Sequence, residues 1–186
     1  LNDQQQRNTT VVGVEDQYMR DGKVFSEYRA RDAINATDSE AAVGLRNNWN
    51  VAQGVRLSTN LEQITTLKGT GANDASAAGL GIEYLPSPLW KATGKLDLRW
   101  ADSADTILNQ LGLAWKINRD WTLLTRNTVS LTDNHKTGNR LLDRFQTGFA
   151  WRQVDTNRWD ALTRFEIKRE DDRSSSVAPV DRTSYI

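Results

Sequence analysis

Apolar and polar residues alternate one for one along most of this chain, and a period of two is the pattern of β-strands with two unlike faces. From Val55, the apolar phase holds Val55, Leu57, Thr59 and Leu61, while Arg56, Ser58, Asn60 and Glu62 take the other. Eight such runs occupy 41–49, 55–62, 78–85, 89–100, 106–117, 121–131, 144–152 and 159–168. Two more, 10–19 and 23–31, flank Asp21-Gly22, a two-residue hairpin signal. In the eight, the apolar phase has 40 positions and no charge. At the chain's charged fraction of 26%, about ten charges would fall there by chance. The opposite phase carries sixteen: Arg46, Arg56, Glu62, Glu83, Lys91, Lys95, Asp97, Arg99, Lys116, Arg126, Arg144, Arg152, Asp160, Arg164, Glu166 and Lys168. Eleven are basic and five acidic.

Alternation alone does not say which face is inside. A soluble barrel turns the apolar face inward, whereas a transmembrane barrel turns it out to lipid around a polar lumen. Three features favour the second. The runs are about 8 to 12 residues long, against ~5 to 6 for soluble strands, and ten tilted residues rise roughly 25 Å, the height of an apolar membrane band. The aromatic residues also gather at strand ends: Trp49, Tyr84, Trp90, Trp115, Trp121, Trp151 and Trp159 lie on the apolar phase beside short turns, with Trp100 on that phase at the opposite end. Tyr18 stands beside its own turn. Indole and phenol rings partition to the headgroup level, so such a belt reads as a membrane-interface girdle. Finally, connections at one end are short, while 32–40, 65–77 and 132–143 at the other are longer and rich in Gly, Asp, Asn, Thr or Ser. That matches short periplasmic turns and longer extracellular loops.

The expected fold is therefore all-β: an antiparallel, up-and-down transmembrane barrel of about ten strands. Those ten strands place both chain ends on the outer side, so 1–186 is expected to be one barrel segment, incomplete at both ends, of a barrel with twelve strands or more. Residues 181–186 lack an apolar alternation closing in Phe, and no basic, then apolar leader opens the chain. The phrases Tyr28-Arg-Ala-Arg-Asp-Ala33, Asp120-Trp-Thr-Leu-Leu-Thr-Arg-Asn127 and Arg144-Phe-Gln-Thr-Gly-Phe-Ala-Trp151, with 159–171 after them, resemble the barrel region of large Gram-negative cell-surface proteins. In that family, arrays of immunoglobulin-like or similar repeats precede a C-terminal outer-membrane barrel. The resemblance implies an anchor or export role in the outer membrane and brings no catalytic residue.

Function classes narrow accordingly. No apolar run approaches the ~18 residues of a membrane helix. With no Cys there is neither a disulfide framework nor a thiolate metal site. Zero net charge argues against nucleic acid as a partner. His135 is the sole His and falls in a loop, while Ser130 nearby in sequence lies on the polar phase, so no triad assembles and an enzyme is not expected. The acidic stretches 133–134 and 170–172 lack calcium-loop spacing and read as solvated. No cofactor, metal or catalytic residue is expected. The expected partners are the lipid bilayer and an extracellular molecule at the long loops; the basic excess on the polar face suits a wet lumen that favours anions. The competing reading is a soluble extracellular β-domain acting as a binding or adhesion module.

Overall fold

A computed structural model describes residues 8–33, 36–68, 74–156, 158–173 and 180–185. Eleven strands follow one another: β1 (Asn8–Met19), β2 (Gly22–Ala33), β3 (Ala36–Ala52), β4 (Val55–Lys68), β5 (Ala75–Ser87), β6 (Trp90–Ala101), β7 (Ala104–Lys116), β8 (Trp121–Asn134), β9 (Gly138–Arg152), β10 (Asp160–Asp172) and β11 (Val180–Tyr185). Each pairs antiparallel with its neighbours in chain order, giving one up-and-down sheet with β1 and β11 at its edges. All ten expected strands are present. Tight turns impose the reversals: at the β3–β4 turn Gly54 adopts φ 72°, the left-handed region that a side chain disfavours.

Two expectations are corrected. Apart from β6, the strands are longer than the alternation suggested, and β1 to β10 run 12 to 17 residues. Consequently two of the connections expected to be long are not: β2 and β3 are separated by 34–35, and β8 and β9 by 135–137. The polar stretches 36–40, 65–68, 132–134 and 138–143 are paired backbone. Beyond an apolar band both faces of a strand meet water, so period two vanishes although the ladder continues. Of the 65–77 stretch, 69–73 lie outside the described residues. Residues 180–185, expected to carry no strand, pair with β10 as β11.

Burial decides the sense of the sheet. Among the described residues, the buried apolar side chains are Phe25, Ala42, Ile64 and Ala75, and the register places all four on the face of the charged phase. None of the 40 apolar-phase positions is buried. Leu80 is 49% exposed, Leu111 53% and Leu61 54%. A cavity of about 620 Å³ spans the charged-phase side of β6 to β10. A single sheet encloses such a volume only on its concave side, so the charged phase lies inside the curve and the apolar phase outside it. A soluble barrel requires the reverse.

Candidate functional site

The hydrogen-bond register measures how the aromatic girdle runs across the sheet. A line perpendicular to the strands from Trp49 passes through Leu57, Ile82, Gly94, Leu111, Asn127, Phe145 and Ile167. Against that line the girdle slips by two residues at Tyr84, four at Trp90 and Trp115, six at Trp121 and Trp151, and eight at Trp159. The rings lie at one height only if the strands tilt. Eight residues of slip over seven inter-strand steps, at ~3.3 Å per residue and ~4.8 Å per strand, give a tilt of about 38°, within the range of transmembrane barrels. Neighbouring rings touch along the belt: Tyr84 and Trp90 meet edge-on at 5.0 Å, and Trp121 lies 6.3 Å from Trp151.

The upper boundary follows from β6, where Trp90 and Trp100 face outward ten residues apart. At this tilt they are separated by about 26 Å of height, the thickness of an outer-membrane apolar band. Counting residues upward from the girdle on β3 to β10, outward charges begin at ten with Asp105 and Arg169, then Asp133 and Asp171 at twelve, whereas on β1 Asp16 faces outward two residues above Tyr18. One lies lower. Asp143, eight up, sits about 5 Å inside the boundary and accepts a hydrogen bond from Asn127 Nδ2 at 2.9 Å. Thr125 and Thr147 likewise pair their hydroxyls at 3.2 Å. The polar groups on the apolar face are thus largely bonded to each other, which limits the cost of burying them away from water.

All fifteen residues expected to line a lumen (Arg46, Arg56, Glu62, Glu83, Lys91, Lys95, Asp97, Arg99, Lys116, Arg126, Arg144, Arg152, Arg164, Glu166 and Lys168) share the concave face, as does Asp160. The four carboxylates among the fifteen are engaged. Glu62 meets Arg29 at 2.8 Å, Asp97 meets Lys95 at 2.8 Å, and Glu83 is held by Lys91 with Arg56 at 3.8 Å. Glu166, buried, receives Arg144 Nε at 3.2 Å and Gln146 Nε2 at 2.6 Å. Glu170, above it, takes Arg140 at 2.6 Å and Lys168 at 3.0 Å. Because bases outnumber acids, cations are left over: among the described residues Arg99, Lys116, Arg126 and Arg164 have no carboxylate within ion-pair distance. Sequence reasoning missed Arg29, Arg140 and Glu170, which belong to the same network but lie in β2 or in the strand extensions.

His135 joins two turns above the band. Its Nδ1 lies 3.0 Å from the Asp102 carbonyl and its Nε2 3.4 Å from Asp105. The Asp102 carbonyl, the Asp105 carboxylate and the more distant Asp133 charge all favour the imidazolium, so its pKa is raised above 6.5. A raised value means that the tie between the β6–β7 and β8–β9 turns is present at low pH and is lost as pH rises through that pKa. As the chain has one His, an imidazole NMR titration reads it directly. The midpoint is expected above 6.5 and should fall in Asp105→Asn; a midpoint at or below 6.5 would contradict the contact.

No protein family and no curated protein matches this chain. Among solved structures, OccAB2 of Acinetobacter baumannii, an outer-membrane β-barrel, matches over 95% of this chain with a TM-score of 0.59 and 12% sequence identity. The chain spans about half of that structure, 53% of its length. The likeness is one of fold: an antiparallel, up-and-down sheet of the outer-membrane barrel type.

Proposed function

We propose that this chain is an integral outer-membrane β-barrel segment of a Gram-negative envelope, which anchors a cell-surface protein and lines a translocation lumen with its concave face. The observation that carries the reading is the outward band of β3 to β10: ten residues deep, bounded by tryptophan at both heights on β6, charged on these eight strands only at Asp143, and left exposed by the fold. Exposed apolar surface on this scale in water is an aggregation hazard, whereas hydrocarbon is its natural solvent. The paired charges on the concave face support a hydrated interior, and the phrases resembling the barrel region of repeat-bearing surface proteins support anchorage.

Planar-bilayer recording tests the lumen part of this proposal. Discrete conductance steps with anion preference are the expected result, because the leftover charges on the wall are cationic. Stable bilayer insertion without conductance would contradict the translocation role and leave anchorage. Failure to insert would overturn both.

A further inference from the structure

Five residues above the girdle, at the middle of the ten-residue band, the concave wall of β6 to β10 reads Lys95, Gln110, Arg126, Gln146 and Arg164. Cations and amides alternate at a single height, and Lys95–Gln110 and Arg126–Gln146 are direct cross-strand pairs. No carboxylate occupies this layer. The acids Asp97 and Glu166 stand two residues higher, the first engaged by Lys95 and the second by Arg144 and Gln146. Two residues below the layer the wall changes character. Leu124 and Leu162 project into the cavity, 42% and 73% exposed, alternating across the strands with Gly112 and Gly148, which present no side chain. The five residues of the layer, both leucines and both glycines line the cavity of about 620 Å³, a volume in the range of small-molecule sites.

We infer that this cavity is a binding site for an organic anion carrying an apolar group. The anionic head sits between Arg126 and Arg164, within reach of Lys95. Guanidinium groups without carboxylate partners give charge-assisted hydrogen bonds to such a head. The apolar body lies below, against Leu124 and Leu162, where the glycines leave room. An inorganic ion would use the upper layer only and would not account for Leu124 and Leu162, the exposed leucines on the concave wall of β6 to β10. This inference rests on the reading of the concave face as a lumen wall.

Calorimetric titration of the folded protein in detergent micelles tests it without requiring an open pore. The probes are phenyl phosphate, inorganic phosphate and phenyltrimethylammonium. Phenyl phosphate should bind at least tenfold more tightly than inorganic phosphate, and phenyltrimethylammonium should not bind. Arg126→Gln and Arg164→Gln should each weaken phenyl phosphate tenfold or more. Leu162→Ala should reduce it toward the inorganic ion, and Lys116→Gln, below the girdle, should leave it unchanged. β-sheet circular dichroism confirms that each variant is folded. Equal affinity for the two phosphates, or binding insensitive to both arginine substitutions, overturns the site. Bilayer insertion measured on the same samples separates the two readings: binding without insertion sinks the barrel and keeps the site, whereas insertion without arginine-dependent binding does the opposite.

Discussion

Leu80→Arg should destabilise the protein in lipid vesicles by about 2–4 kcal/mol, whereas Leu131→Arg should cost no more than about 1 kcal/mol. Both leucines face outward and are nearly equally exposed, 49% and 45%. They differ in height. Leu80 lies four residues above the girdle residue Tyr84, near the middle of the band, while Leu131 lies ten above Trp121, at the upper boundary. In water, substituting a half-exposed leucine usually changes stability by within roughly 0.5 kcal/mol, so the depth dependence is specific to a hydrocarbon surround. Urea unfolding in vesicles, monitored by tryptophan emission, reads both. Similar small costs at the two positions would mean that the convex face is wet.

Phe25→Ala is expected to cost about 3 kcal/mol, at the lower end for a buried phenylalanine because one side of the ring faces the concave space. Phe25 is 3% exposed, a rare value in this sheet. It lies opposite Gly44 in the β2–β3 register and covers the gap that glycine leaves, with the Arg46 guanidinium 4.1 Å above its ring. An aromatic ring shielding a cross-strand glycine is a recognised means of stabilising sheets. A Cβ at Gly44 would collide with that ring, so Gly44→Ala is also destabilising, by about 1–3 kcal/mol. In the double variant the clash with the ring is removed while that with the Leu61 carbonyl oxygen remains, so the double variant should cost somewhat less than the sum of the two single costs. Strict additivity in the same urea assay would show that the ring and the glycine do not share space.

The alternation in the sequence identified ten strands, the two faces and the girdle, because inside an apolar band each side chain meets either hydrocarbon or a polar interior and the residue types must follow. It failed where that constraint ends. Thr132, Asp133, Asn139 and Arg140 read as loop because they are polar on both faces, yet their backbones pair in register above the band. The same blindness hid β11. Asn127, which fits the apolar face poorly by itself, is explained by Asp143, a partner placed by strand β9 in the stretch taken for a loop. The tilt was not legible at all, since the girdle tryptophans give it only when the register connects them. Likewise the mid-height layer of Lys95, Arg126 and Arg164 emerges once every strand is counted from a common level.

Depth-dependent quenching by lipids brominated at defined acyl positions tests the central claim most directly. The account predicts that tryptophan emission in vesicles is quenched most by bromines near the headgroups and least at the bilayer centre. The reason is that Trp49, Trp90, Trp115, Trp121, Trp151 and Trp159 lie at one interface and Trp100 near the other. Single-tryptophan variants carrying only Trp90 or only Trp100 should both report shallow depths, while tryptophan placed at Leu96, midway between them on the same outward face, should be quenched most by deep bromines. Emission at all three positions that ignores the brominated lipids would contradict a membrane-spanning sheet.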